Sequence, residues 1–167
     1  MILEFGVYQG QSLIEISKFF SPFKIKCFGF DTFTGLTQDW RYSPELTIPK
    51  NAYTTDGITP SGLPNNAELV IGDATEKIVE FLNKNTGAIR FAHFDMDIYQ
   101  PTKKVLEIIK NRLDSASILC FDEHHGYPGW RENEFKALQE VFHISQYTYL
   151  GFSEMSAAIQ LKISPSC

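Results

Sequence analysis

The stretch IRFAHFDMDIYQPTKKVLEIIKNRL, residues 89 to 113, decides the fold. Its apolar run from Ile89 to Phe94 reads as a strand, and Asp95 and Asp97 lead the chain out of it. Thr102 to Leu113 then reads as a helix, with Val105, Ile108, Ile109 and Leu113 at helical spacing. This is one strand-then-helix unit, and the same alternation extends in both directions. Met1 to Phe5, Ile25 to Phe30, Glu68 to Ile71 and Ser117 to Phe121 read as further strands. Ser12 to Phe20, Glu76 to Leu82 and Glu132 to Phe142 read as helices, the first opened by a capping box of Ser12 and Glu15. Such alternation predicts an α/β fold with a parallel sheet whose strand ends share one edge. After residue 145 the rhythm changes. Ser145 to Gly151 and Ser156 to Ile163, joined by Phe152 to Met155, predict an antiparallel hairpin at the end of the sheet.

One segment breaks the rhythm. Between Thr34 and Ala67 the chain is rich in Pro, Gly, Thr and Asn, with Trp40, Tyr42 and Tyr53 scattered through it. A loop this long inside a compact domain is a lid or a disordered insert, and its aromatics favour a lid over 34–67.

Composition narrows the classes. With 167 residues, 43% of them hydrophobic, the chain suits a single domain, 1–167, with one core and no need of disulfides. The net charge is -5 and no basic run exceeds Lys103-Lys104, so nucleic acid is not an expected partner. No apolar run approaches the roughly 18 residues that span a bilayer, and the N-terminus carries no leader pattern. The expectation is a soluble, cytoplasmic protein with no membrane partner. Self-association into a homo-oligomer stays open. Cys27, Cys120 and Cys167 are an odd, widely spaced set and receive no redox role.

Chemistry is expected where strands end. Glu4, Gly6 and Gly10 lie between the first strand and first helix, where glycine permits a tight turn and close approach of a ligand. Asp31 ends the second strand at a spacing suited to ribose hydroxyls, although the glycine pattern is not that of pyrophosphate binders. Together they suggest an adenosine ligand. Asp95 and Asp97 end the fourth strand, and Asp122 and Glu123 the fifth, followed by His124 and His125. Neighbouring strands lie about 4.8 Å apart, so these acids converge, and a hard cation such as Mg²⁺ relieves their repulsion. Each acid taken alone is also compatible with helix capping. His93 reads as a hydrogen-bonded core residue more readily than as a ligand, and Trp130 equally as a helix staple or a substrate wall.

The segments LEFGVYQGQSL (3 to 13), GFDTFTGL (29 to 36), HFDMDIYQPTKKVLEII (93 to 109) and FDEHHGYPGWRENEFKAL (121 to 138) resemble, in order, those of class I S-adenosylmethionine-dependent methyltransferases. They look most like the macrocin O-methyltransferase-like (TylF-type) branch, which methylates sugar hydroxyls. The resemblance implies a Rossmann-like three-layer sandwich with seven strands in the order 3-2-1-4-5-7-6, the seventh antiparallel. It implies cofactor contacts from Glu4, Gly6, Gly10, Asp31, Asp73 and Asp95, and Mg²⁺ ligation by Asp95, Asp122 and Glu123. Asp97 falls at the position of a general base, with His125 as its competitor. Two departures stand out. Glu123 replaces a common Asp, and the sequence begins at the first strand, without the helices that precede it in the family. The implied activity is metal-assisted O-methylation of a small hydroxylated acceptor such as a sugar. A metal-dependent hydrolase on the same acidic edge, or a non-catalytic binding module, are the rivals.

Overall fold

The computed structural model describes residues 1–163. Five parallel strands, β1 (Ile2–Phe5), β2 (Cys27–Asp31), β5 (Ala67–Ile71), β6 (Phe91–Phe94) and β7 (Ile118–Phe121), join β8 (Tyr147–Phe152) and β9 (Ala157–Leu161) in one sheet. A small antiparallel ribbon of β3 (Trp40–Arg41) and β4 (Thr47–Ile48) stands apart. The sheet order is β5-β2-β1-β6-β7-β9-β8, and β9 runs antiparallel to both its neighbours. Counting only strands of the main sheet, this is the order 3-2-1-4-5-7-6. Four helices connect the strands: α1 (Gln11–Phe20), α2 (Ala74–Lys84), α3 (Tyr99–Ile109) and α4 (Glu134–Val141). None is long and apolar enough to cross a membrane.

The core explains the rigidity of the strand ends. Parallel registry aligns Phe30, Phe5, Phe94 and Phe121 on four consecutive strands. Their rings meet at centroid distances of 5.1, 5.2 and 4.9 Å, and all four are fully buried. This ladder lies at or within one residue of where each strand gives way to loop. It gives the loops a floor that cannot shift without opening a cavity.

Several boundaries differ from expectation. The capping box does not form: α1 starts after Gly10, which is in the left-handed region at φ 83°, and no side chain caps it. A Cβ at Gly10 would collide with the Pro60 ring at 2.8 Å, so the loop packing selects glycine over a capping side chain. Helix α3 begins three residues before the expected start because Pro101 sits in its first turn, where a missing N–H costs nothing. Helix α2 starts earlier too, with Asp73 accepting hydrogen bonds from Thr75 N and Oγ1 at 2.7 Å.

Segment 34–67 is packed onto the domain. Trp40 and Tyr127 are buried with Leu36 and Ile98 in a satellite cluster, and Tyr42 stacks on Tyr127 at 4.9 Å. Gly129 N donates to Tyr42 O at 2.8 Å, tying the segment to the loop after β7. Cys27 and Cys120 are free thiols, and Cys167 lies outside the described residues.

Candidate active site

The strand ends of β1, β2, β5 and β6 open onto a cavity of about 280 Å³, close to the lower size of ligand pockets. Its wall is built loop by loop. Gly6, Val7 and Tyr8 follow β1; Asp31 and Thr32 close β2; Gly72 and Asp73 follow β5; Asp95 to Ile98 follow β6. Gly35, Leu36, Thr37 and Tyr53 close it from the insertion, and Glu123 lies at its edge. Gly6 is obligatory here. Its φ is +89°, and a Cβ would fall 1.7 Å from the Asp95 carbonyl oxygen.

Asp31 shapes the turn it faces. Its Oδ2 accepts from Val7 N at 2.7 Å and Tyr8 N at 2.8 Å, and its Oδ1 accepts from Phe33 N at 2.7 Å. A carboxylate has about four lone-pair positions, so capacity remains for a ligand hydroxyl. Asp73 likewise spends Oδ1 on capping α2 and lines the cavity.

Beside this wall the acids converge, though not in the expected grouping. One carboxylate oxygen each from Asp95, Asp97 and Glu123 lies within 4.8 Å of the others. Asp122 lies beside this group and outside it: its Oδ1 accepts from Ser156 Oγ at 2.9 Å and faces His93 Nε2 at 3.9 Å. Strand β6 ends at Phe94, so two-residue alternation does not govern Asp97, whose backbone is left-handed at φ 63°. A buried aspartate in that conformation is strained, as functional positions often are.

Burial sets the electrostatics. Desolvation, then the Asp122 charge, pushes Asp95 up to about 7. Desolvation and the Asp95 charge hold Asp97 well above the usual carboxylate range. Desolvation and Glu134 do the same to Glu123, whose Oε2 is buried with no hydrogen-bond partner. Beneath them His93 Nδ1 meets Glu4 Oε1 at 2.9 Å. Burial opposes a charge on His93, yet Asp122 and Glu4 overcome it and push its pKa up to about 11. His93 is thus the hydrogen-bonded core histidine that a lone His in an apolar strand suggested.

Besides Asp122, three expected site residues do not line the cavity. Glu4 is buried against His93, and Gly10 faces Pro60. His125 packs its ring on Phe152 at 5.4 Å, and its backbone N donates to Met155 O. His124 bonds Tyr149 OH at 3.1 Å within an aromatic cage, and burial lowers its pKa to about 4. Trp130 packs on Phe135 at 4.6 Å and does not line this cavity. Sequence reasoning missed Glu134, whereas Tyr53, named among the aromatics of the expected lid, lines the cavity. Glu134 reads as an ordinary first-turn acid, and nothing in its neighbours signals burial.

A methyltransferase-domain family profile matches residues 3–124. The chain belongs to this methyltransferase family. The hydrolase rival therefore loses its ground. No curated protein matches the chain by sequence. Among solved structures, the calicheamicin methyltransferase CalS11 is 27% identical, with a TM-score of 0.76 over 95% of this chain and 71% of that one. A second CalS11 structure, described as a TDP-rhamnose 3'-O-methyltransferase, is 28% identical at a TM-score of 0.69, covering 95% of this chain and 70% of that one. The O-methyltransferase NovP, at 12% identity and a TM-score of 0.70 over 96% and 71% of the two chains, shares the fold.

Proposed function

We propose that the chain is an S-adenosylmethionine-dependent O-methyltransferase, assisted by a divalent cation and acting on a small hydroxylated acceptor such as a sugar. The observation that carries this reading is the grouping of Asp95, Asp97 and Glu123 beside the Gly6 turn, with Glu123 Oε2 buried and unpartnered. An orphaned carboxylate oxygen in a three-acid cluster suits an oxygen-seeking cation. The likeness to CalS11, a sugar O-methyltransferase by its description, supports the acceptor class and the sugar-modifying branch.

Asp95 and Glu123 would hold the cation, and Asp97 beside them would keep its carboxylate free to act as the base. The cofactor would lie along Gly6 to Tyr8, with Asp31 at its ribose and Asp73 at its adenine. When bound, the sulfonium supplies the methyl group and the cation acidifies and orients the acceptor hydroxyl. The protein's own part is positional and protonic. The Gly6 turn and the insertion hold the reactants in line and exclude water. A carboxylate oxygen of Asp97 would take the hydroxyl proton.

Calorimetric titration with S-adenosylhomocysteine tests the reading first. The wild type should bind, and Asp31→Ala should bind more weakly, since each hydrogen bond lost costs about 0.5–1.5 kcal/mol. No wild-type binding at millimolar ligand overturns it. Transfer of label from S-adenosylmethionine to a panel of sugars and phenols then identifies the acceptor, and full turnover after exhaustive chelation removes the cation from the reading.

A further inference from the structure

We propose that Glu134 is a positioning residue that fixes the separation of the two loops carrying Asp95, Asp97 and Glu123, and thereby sets the site's affinity for a divalent cation. The inference rests on the metal-assisted reading above. Glu134 opens α4 and is fully buried. Its Oε1 accepts from Met96 N at 3.3 Å, and its Oε2 accepts from Glu123 N at 3.2 Å. Met96 lies between Asp95 and Asp97 in the loop after β6, and Glu123 lies in the loop after β7. One carboxylate therefore spans both loops.

The place of this bridge gives it consequence. The β6–β7 ladder ends at the pair Phe94 and Phe121, and Asp122 N to Phe94 O at 2.9 Å is the next bond outward. Beyond it the Glu134 carboxylate carries the connection onward, one oxygen to each loop. An ordinary acid in a first helical turn sits in water and satisfies its own helix's free N–H groups. Glu134 does neither: it is withdrawn from solvent, and both of its hydrogen bonds leave α4 for the ligand-bearing loops. The role requires two acceptor oxygens. Glutamine offers one oxygen and an NH₂ group, which would face a backbone N–H donor to donor, so it can keep one bridge at most. Groups that orient metal ligands in this way carry a substantial share of a site's affinity.

The test uses metal-stripped protein titrated with Mn²⁺, with free ion followed by electron paramagnetic resonance and S-adenosylhomocysteine binding measured on the same samples. Glu134→Gln should raise the Mn²⁺ dissociation constant by about 10- to 100-fold and leave the S-adenosylhomocysteine affinity essentially unchanged. In ¹⁵N-labelled wild type, the Met96 and Glu123 amide protons should be shifted downfield and protected from exchange, and at least one should lose this in the variant. Unchanged Mn²⁺ affinity in the variant overturns the positioning role while the metal reading stands. A parallel loss of Mn²⁺ and S-adenosylhomocysteine affinity makes Glu134 a general stability residue and also overturns it. Absence of Mn²⁺ binding by the wild type overturns the metal reading and this inference together. Fast exchange of both wild-type amides overturns the bridge even if the variant does not fold.

Discussion

The two walls of the cavity are made in opposite ways. One is the rim of strand ends, where Gly6, Asp31, Asp95 and Asp97 stand at or just beyond the end of a strand, over four interlocked phenylalanines. The other is the insertion between β2 and β5, whose regular structure is a ribbon of two residue pairs and whose apolar anchor is the cluster around Trp40 and Tyr127. The rim is rigid because each loop begins from a hydrogen-bonded ladder. The insertion holds its shape through single bonds such as Asn51 N to Leu36 O and Thr55 N to Phe33 O, both near 3 Å. A division follows: the buried acids sit on the rim, while the insertion adds Gly35, Leu36, Thr37 and Tyr53 to the wall.

The largest effect expected from this division is on turnover. Asp97→Asn keeps the shape of the rim and removes the proton acceptor, so methyl transfer should fall by about 10²- to 10⁴-fold, with S-adenosylhomocysteine affinity retained. His125→Ala, measured beside it, should stay within a few-fold of wild type because that ring packs on Phe152 away from the cavity. The reverse result, a large loss from His125→Ala and none from Asp97→Asn, would transfer the base to the loop after β7.

The same truncation in the two walls should have different outcomes. Phe94→Ala removes the centre of the ladder and should destabilise the whole domain by about 3–5 kcal/mol, read as a shift of the denaturation midpoint. Trp40→Ala empties a similar volume in a satellite cluster that can open by itself. Its global midpoint should shift less, while limited proteolysis should gain cuts within residues 40–60. Equal global shifts without new cuts would show that the insertion folds as one unit with the sheet.

How much of each wall is readable in the sequence follows the same line. Strand ends are legible because apolar runs stop abruptly at Gly or Asp, which places Gly6, Asp31, Asp95 and Glu123 at one edge. The orientation of each acid is not legible. Strand alternation groups Asp95 with Asp97 correctly but for the wrong reason, since Asp97 owes its position to a left-handed backbone, and alternation says nothing of the hydrogen bond that Asp122 accepts from Ser156. The burial of Glu134 comes from how α4 docks, a tertiary fact with no local pattern. In the insertion, aromatic content suggests packing, but the pairing of Trp40 with Tyr127 joins positions too distant for periodicity to connect.

The smallest expected effect is on stability, and it isolates the rim. In protein stripped of divalent ions, Asp95 and Asp97 have pKa values raised above those of the unfolded chain, mainly by burial, and His93 is raised to about 11 by its acidic neighbours against the effect of burial. A group that binds its proton more tightly when folded contributes stability present below its unfolded pKa and lost as pH rises through its folded value. For Asp95 that window runs from about 4 to about 7, and Asp97 extends the decline in the same direction. Asp122 acts oppositely, since burial is outweighed by His93, which holds its carboxyl below the usual range, and its contribution is lost only in acid below about 4. The melting temperature of the metal-free protein should therefore fall between pH 5 and 8, by roughly 3 °C per pH unit, and Mn²⁺ should flatten the slope by neutralising the cluster. Asp97→Asn should flatten it without metal, whereas Trp40→Ala should leave it unchanged because that cluster carries no titrating acid. A slope that Trp40→Ala alters and Asp97→Asn does not would erase the distinction between the two walls.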